Sequence, residues 1–473
     1  MKKIYIAIVS AACLIFAPGC SDFLDVKSQE KVEAEDSEDV YTPEMFINGV
    51  YGMFTDWDYA FSYLAITEII SDNADKGSSA SDTGGDKDLF DDLTFTSTAG
   101  SLEAMWKRWY KTIGRATQAI EYAESYGLTD AAYKNRLIGE AKFLRALCYF
   151  YLVRGWGDIP LQHIDLTTRA PKSEVYAFIE QDLKDAINTL PTKTEYPSKD
   201  LGRATKGAAQ GLLAKVCLYQ EKWQESYDYA TTIVNSGIYA LESDYAVVWR
   251  ASAENGVESL FEIQARGEAI AHGVNQYSQT QGSRGGTANI GWGFNTPSEN
   301  LLNAFNSIND TIRRNATIIF RNQTLWDGIE IGASENAMYN YKAYSSANQG
   351  AGDGDKNVRM LRFGEILLIQ AEAANELAKS AEALTALNAV RQRAKLDNIT
   401  TTNQADLRKA IWNERRLELA FEHDRWADLI RTGQAAEAMT AAGKKFVVGK
   451  HELFPIPNQQ LLEVPSLEQN PNW

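Results

Sequence analysis

Residues 277–294 read YSQTQGSRGGTANIGWGF and bring together the side chains that can hold a polar, ring-shaped ligand. Trp292 stands between two glycines, which are expected to leave its ring uncrowded and presenting a flat apolar face. Arg284 carries a fork of N–H donors, while Asn289 and Asn295 can both donate and accept. A sugar suits this set: its C–H patches stack on an aromatic ring, and its hydroxyls take hydrogen bonds from Arg, Asn and Asp. Tyr277 opens the stretch, and Tyr339, Tyr341 and Tyr344 form a second aromatic cluster expected to be exposed. The alternative for Trp292 is packing in a local core.

Other clusters suggest other chemistry. Glu414, Arg415, Arg416, Glu418, Glu422 and Arg425 resemble a catalytic set, and a glycosidase would need two such carboxylates flanking a sugar-sized cleft. Their spacings of three and four instead predict ion pairs along a helix or bridges between helices. Asp82, Asp86, Asp88, Asp91 and Asp92 offer the oxygen ligands that calcium favours, without the order of an EF-hand loop. Asp353 and Asp355 raise the same question, and a solvated loop is the simpler reading of both. Apart from calcium, no cofactor is expected. The four histidines fall in no HExxH or CxxC-type cluster, and no G-x-S-x-G, P-loop or dinucleotide fingerprint occurs.

Composition narrows the classes further. The 473 residues are 44% hydrophobic and 23% charged, as in folded globular chains, with a formal charge of −16. Such a surface repels nucleic-acid backbones. The chain opens with Lys2 and Lys3, then an apolar run to Ala17 too short to span a membrane. Ala17-Pro18-Gly19-Cys20 follows, a small residue directly before a cysteine, so residues 1–19 read as an exported leader removed in the mature chain. The junction resembles a bacterial lipobox, which implies acylation of Cys20 and anchoring to a membrane. Loss of Lys2 and Lys3 takes the charge from −16 to −18. Residues 20–39 are acidic and read as a tether. Cys148 and Cys217 sit in apolar helical patterns and are expected as buried thiols, with a bridge as the lesser alternative.

The elements that position these residues are mainly helices. In residues 140–152, Phe143, Leu147 and Phe150 make one apolar stripe, with Leu144 and Tyr151 beside it. Helices are also predicted over 102–125, 173–190, 208–219, 222–236 with Gly237 as cap, 362–377, 381–394 and 405–431. Small residues such as Ala141, Ala146, Ala209 and Ala214 recur where helices must approach. Trp223 opens the second helix of a pair, as in tetratricopeptide repeats of about 34 residues. The expected fold class is mainly α, a scaffold of about four helix pairs carrying a loop-rich region. Residues 71–98 and 241–358 lose helical periodicity and read as functional loops. Within the block 154–160, Trp156 is expected to pack.

Five ordered blocks then coincide: CSDFLD (20–25), AKFLRALCYFYLVRGWGDIPL (141–161), VRMLRFGEILLIQAEAANEL (358–377), WNERRLELAFEHDRWADLIRTG (412–433) and LFPIPNQQLLEVPSLEQNPNW (453–473). Together they resemble the SusD/RagB family across nearly the whole chain. The resemblance implies an outer-membrane lipoprotein, non-catalytic, built as one domain over residues 40–473. It further implies capture of glycans at the cell surface and a SusC-like TonB-dependent transporter as partner, with oligopeptides as the alternative ligand. Asp72 and Asn73 lie where the family's SDN-like motif approaches ligand. The expected binding residues are thus Trp292, Arg284, Asp72, Asn73, Tyr277, Asn289 and Tyr341. Starch is disfavoured, because residues 71–98 offer only Phe90 and Phe95 where starch-binding relatives carry tryptophans. A scaffold that only covers the transporter is the remaining reading.

Overall fold

Eight helices of 13 to 26 residues pack in succession, each on the next along the chain. They are preceded by α1 (Pro43–Gly52), and run α2 (Gly100–Ser125), α3 (Ala131–Trp156), α4 (Lys172–Thr189), α5 (Lys206–Tyr219), α6 (Trp223–Asn235), α7 (Phe363–Glu376), α8 (Ser380–Arg393) and α9 (Gln404–Glu418). This is the mainly helical, tetratricopeptide-like arrangement expected from the sequence. The computed structural model describes residues 41–162, 165–265, 276–346 and 356–473, and Pro43–Trp473 forms one compact unit. The leader 1–19, Cys20, the tether 20–39, His163, His272, Asp353 and Asp355 lie outside the described residues.

Local chemistry sets the helix ends. Asp130 accepts from the N–H groups of Ala132 and Tyr133 to start α3, Thr205 from Ala208 to start α5, and Asn403 from Asp406 to start α9. Gly237, at φ +67°, turns the chain out of α6. The stripe expected on α3 proves to be a whole buried helix. Every residue from Gly139 to Val153 except Lys142 is buried, because α1, α2, α4 and α5 surround it. Cys148 and Cys217 are buried free thiols, and burial pushes the Cys217 thiol up to about 12. Trp156 is fully buried, its indole donating to the Pro455 carbonyl at 2.8 Å. Gly211 of α5 permits a close approach of the β4–β8 sheet: a methyl there would stand 2.8 Å from both Leu260 and Leu361.

Four two-stranded antiparallel sheets fasten the loops. β1 (Ala74–Gly77) pairs with β5 (Phe294–Pro297), and β2 (Ile159–Leu161) with β3 (Asp165–Ala170). β4 (Ser259–Ile263) pairs with β8 (Val358–Arg362), and β6 (Ile318–Phe320) with β7 (Met338–Asn340). Residues 405–431 are two helices, a correction to the single one expected. After α9, Phe421 and His423 adopt φ of +63° and +70°, and α10 (Arg425–Arg431) begins afresh. The turn is held by its contacts: the His423 ring meets the Thr67 hydroxyl at 2.9 Å and the Tyr277 hydroxyl at 3.0 Å.

The charged block 414–425 pairs across elements rather than along its own helix. Arg362 of β8 contacts Glu258, Glu418 and Glu422, each at 2.6 Å. Arg313 reaches Glu414 at 2.6 Å and Glu418 at 3.1 Å, and Arg393 pairs with Glu258 and Glu418. Arg415 turns to Asp428 and Glu365. Gly364 makes room for this cluster, since a methyl there would lie 2.3 Å from the Arg362 guanidinium.

Candidate functional site

Trp292 sits at the end of a closed loop. The loop follows the short helix Tyr277–Gln281 and is drawn together by Ser283, whose carbonyl accepts from Ile290 and Gly291 at 3.0 and 2.9 Å. The Ser283 hydroxyl donates to the Ala288 carbonyl, and the Trp292 N–H donates to Gln279 at 2.8 Å. The glycines flanking Trp292 serve the backbone more than the ring. A methyl on Gly291 would lie 2.4 Å from the Gly282 Cα, and Gly293 takes φ +74° with its carbonyl accepting from Ser78.

The ring itself is half-buried and meets Trp57 edge-on, with centroids 5.6 Å apart at 62°. Trp57 in turn lies 5.2 Å from Phe61, and Phe61 lies 5.2 Å from Phe294. The local-core alternative therefore holds in part: Trp292 packs against Trp57 and stays partly accessible. Trp57 and Phe61 went unread in the sequence. Their signal is the run TDWDYAF (55–61), where an Asp-capped single helical turn starts at Trp57.

Polar groups stand at the rim. The Arg284 guanidinium donates to the Ser78 hydroxyl at 2.8 Å and pairs with Asp82 at 3.3 Å and Glu335 at 3.1 Å. It clamps two loops together beside Gly293 and keeps 31% of its side chain exposed. Burial alone would raise the Asp82 carboxyl, but the Gly84 N–H, the Ser78 hydroxyl and Arg284 hold it below the usual range. Asn289 is exposed, its amide oxygen accepting from Gly285. Trp292, Arg284 and Asn289 thus belong to one loop, with Asn289 exposed and the other two partly so.

The other expected residues are placed differently. Asp72 is 1% exposed and bidentate to Arg425 at 2.7 and 2.8 Å, with Arg416 at 3.1 Å. Burial would raise its pKa, yet the two guanidiniums outweigh that and hold it at about 2. Asn73 is fully buried and accepts from Arg416 at 2.8 Å. Tyr277 is spent on His423, and Asn295 donates to Gln281 from a buried position. Tyr339, Tyr341 and Tyr344 are buried in a small core, not exposed as expected, because Tyr339 lies on β7 paired to β6 and all three pack with Ile319, Leu325 and Ile331. Phe90 and Phe95 are buried and stacked at 4.6 Å, so neither presents a face to solvent. In the acidic loop, Asp86 accepts from Ser101 and pairs with Lys87, while Asp91 accepts from Lys76. Among the described residues no group of three or more His, Cys, Asp or Glu is arranged to hold a metal ion. No described helix is long and apolar enough to cross a membrane.

Comparison with known proteins places this geometry. Residues 315–473 match the model described as the SusD family, and residues 22–218 match one described as "Starch-binding associating with outer membrane". The chain belongs to the SusD family. It is 28% identical to SusD-like protein P2 of Formosa agariphila, covering 99% of both chains. It is also 28% identical to a SusD-like protein of Bacteroides ovatus, over 72% of this chain and 67% of that one. Among solved structures, a laminarin-binding SusD-like protein superposes with a TM-score of 0.77 at 26% identity, covering 91% of this chain and 99% of the other. Surface glycan-binding protein A from Bacteroides thetaiotaomicron, solved with laminarihexaose, has the same fold: TM-score 0.77 at 22% identity, over 90% and 98% of the two chains.

Proposed function

We propose that this SusD-family chain is a non-catalytic, cell-surface glycan-binding lipoprotein, anchored to the outer membrane through Cys20. It captures an oligo- or polysaccharide and delivers it to a SusC-like TonB-dependent transporter. The observation that carries the reading is the partly accessible Trp292 ring braced edge-on by Trp57, in the same loop as Arg284 and Asn289. An apolar platform with a few fixed polar groups is the general form of a small-ligand site. The 26%-identical laminarin-binding relative supports a carbohydrate, and the outer-membrane description of the second matching family supports the location. A hydrolytic role draws no support from the charged block. Glu258, Glu414, Glu418 and Glu422 each face at least one arginine or lysine, and all but the partly buried Glu422 are buried.

Titration of the mature protein against laminarihexaose, other neutral and acidic oligosaccharides and a peptide panel tests this. Carbohydrate binding is expected, and Trp292→Ala or Trp57→Ala should weaken it roughly tenfold or more, about 1.4 kcal/mol or above. Peptide binding without any carbohydrate binding would overturn the reading. So would full affinity in the Trp292→Ala variant.

A further inference from the structure

A second concave region lies beside the small tyrosine core, at Trp326. With 52% of its surface exposed, Trp326 is the most exposed aromatic among the described residues. It is nevertheless fixed. Its N–H donates to the Tyr341 hydroxyl at 3.0 Å, and the turn around it closes through Leu325 and Ile329 at 2.8 Å and through Gly328 and Leu325 at 3.0 Å. The Arg250 guanidinium lies 4.5 Å from the Trp326 ring centre and 5.3 Å from that of Tyr341. A cavity of about 330 Å³ opens here, lined by Trp326, Arg250, Tyr344, Lys356, Ser252 and Ser345.

Charge is the unusual feature of this cavity. Lys356 is 4% exposed, and its ammonium donates to the Trp249 carbonyl. Among the described residues it has no carboxylate partner, and neither has Arg250. Of the nearby carboxylates, Glu254 and Glu262 are engaged by Arg359, while the charges of Asp244 and Asp327 act on Arg250 without closing to an ion pair. Glu254 accepts from Arg359 at 3.0 Å and from the Asn357 N–H at 2.7 Å. Glu262 accepts from Asn255 and Asn357, and Asp327 from the Tyr344 hydroxyl at 2.6 Å. Burial depresses the Lys356 ammonium well below its usual range, and the Arg359 and Arg250 charges push the same way. A buried cation without a counter-charge is costly, and an arriving anion removes that cost.

We propose that the Trp326 cavity is a second carbohydrate subsite, selective for a sugar that bears a carboxylate or sulfate group. The indole is the stacking platform, Lys356 and Arg250 take the anionic substituent, and the Ser252 and Ser345 hydroxyls meet the neutral oxygens. The subsite differs from the Trp292 face in chemistry, since Arg284 there is already paired with Asp82 and Glu335.

Calorimetric titration of the mature protein with trigalacturonate, a sulfated heparin-derived disaccharide and laminarihexaose, at low and high salt, tests the proposal. At least one acidic probe should bind, more weakly at high salt. Trp326→Ala and Arg250→Gln should each weaken that binding by about tenfold or more, and Trp292→Ala by less than about twofold. Lys356→Met should abolish the preference for the acidic probe over the neutral one. The two acidic probes separate a carboxylate from a sulfate site. Absence of binding by both, or acidic binding lost in Trp292→Ala and kept in Trp326→Ala, overturns the second subsite. In the first of those cases, laminarihexaose binding that depends on Trp292 leaves the primary site standing.

Discussion

The helical scaffold and the loop-rich region are held by different forces. Between helices the contacts are mainly apolar, with a few ion pairs such as Arg145–Asp182 and Lys215–Glu365 set among them: Leu144 and Leu147 of α3, Leu213 of α5, and Ile366 and Leu368 of α7 are all buried in one continuous core. Where the loops meet the scaffold, cations do the joining. Lys444 donates to three loop carbonyls, those of Ile69, Ser71 and Ala74, at 2.7 to 2.9 Å. Arg362 and Lys342 both donate to the Glu418 carbonyl beyond their carboxylate partners. A helix satisfies its own backbone and can dock through side-chain area alone. An irregular loop brings unpaired carbonyls into the seam, and long cationic side chains are what satisfies them.

That difference can be broken from either side. The largest effect is expected at Glu418, which faces Arg313, Arg362 and Arg393 together. Glu418→Ala strands those charges and should cost about 3–5 kcal/mol in urea unfolding. Hydrogen exchange should then show residues 241–346 losing protection before α2–α6 do. Equal loss in both regions would merge the two classes of contact into one. Leu213→Ala, in the apolar core of α5, should cost about 2–4 kcal/mol and lower the whole unit in one cooperative transition.

Per pH unit, the smallest effect is in pH dependence. Burial raises Glu68 to about 8, against an ordinary value of 4.5, and Asp424 adds to this while the His423 N–H opposes it. The folded chain therefore binds the extra proton between those values, and stability falls as pH rises through them, by up to about 1.4 kcal/mol per pH unit. Glu68→Gln should flatten that slope. Asp72 works in the other direction: its depressed carboxyl contributes stability above about pH 4 that is lost as pH falls toward 2. Urea titrations at several pH values read both.

How legible these features were depends on the range of the interaction. Helices α2–α8 were readable from periodicity, small residues and caps, since all of these act within a few positions. Trp156 and the two thiols were readable for the same reason: each sits inside an apolar stretch. The family resemblance points Asp72 at a ligand, whereas its partner in the structure, Arg425, lies 353 positions away, beyond any local reading. The break between α9 and α10 escaped periodicity because it is imposed by Thr67 and Tyr277, remote residues that hold His423. At the site, the GWG motif singles out Trp292 but not its support, because Trp57 arrives from 235 positions upstream. Trp326 gave the sequence little more than a tryptophan before Asp and Gly in a turn.

The pairing of the first loop with distant parts of the chain bears on the order of assembly. Residues 67–77 find their partners in His423, Arg416, Arg425, Lys444 and β5. During synthesis, or in refolding from denaturant, α2 to α6 can stack from contacts with neighbours already present. The segment bearing Asp72 must wait for the last tenth or so of the chain to emerge. Contacts of such separation carry a large loop-closure penalty and form slowly. Trp292 is fixed beside that segment through β5 and the hydrogen bond from the Ser78 N–H to the Gly293 carbonyl, so its face with Trp57 is expected to complete late.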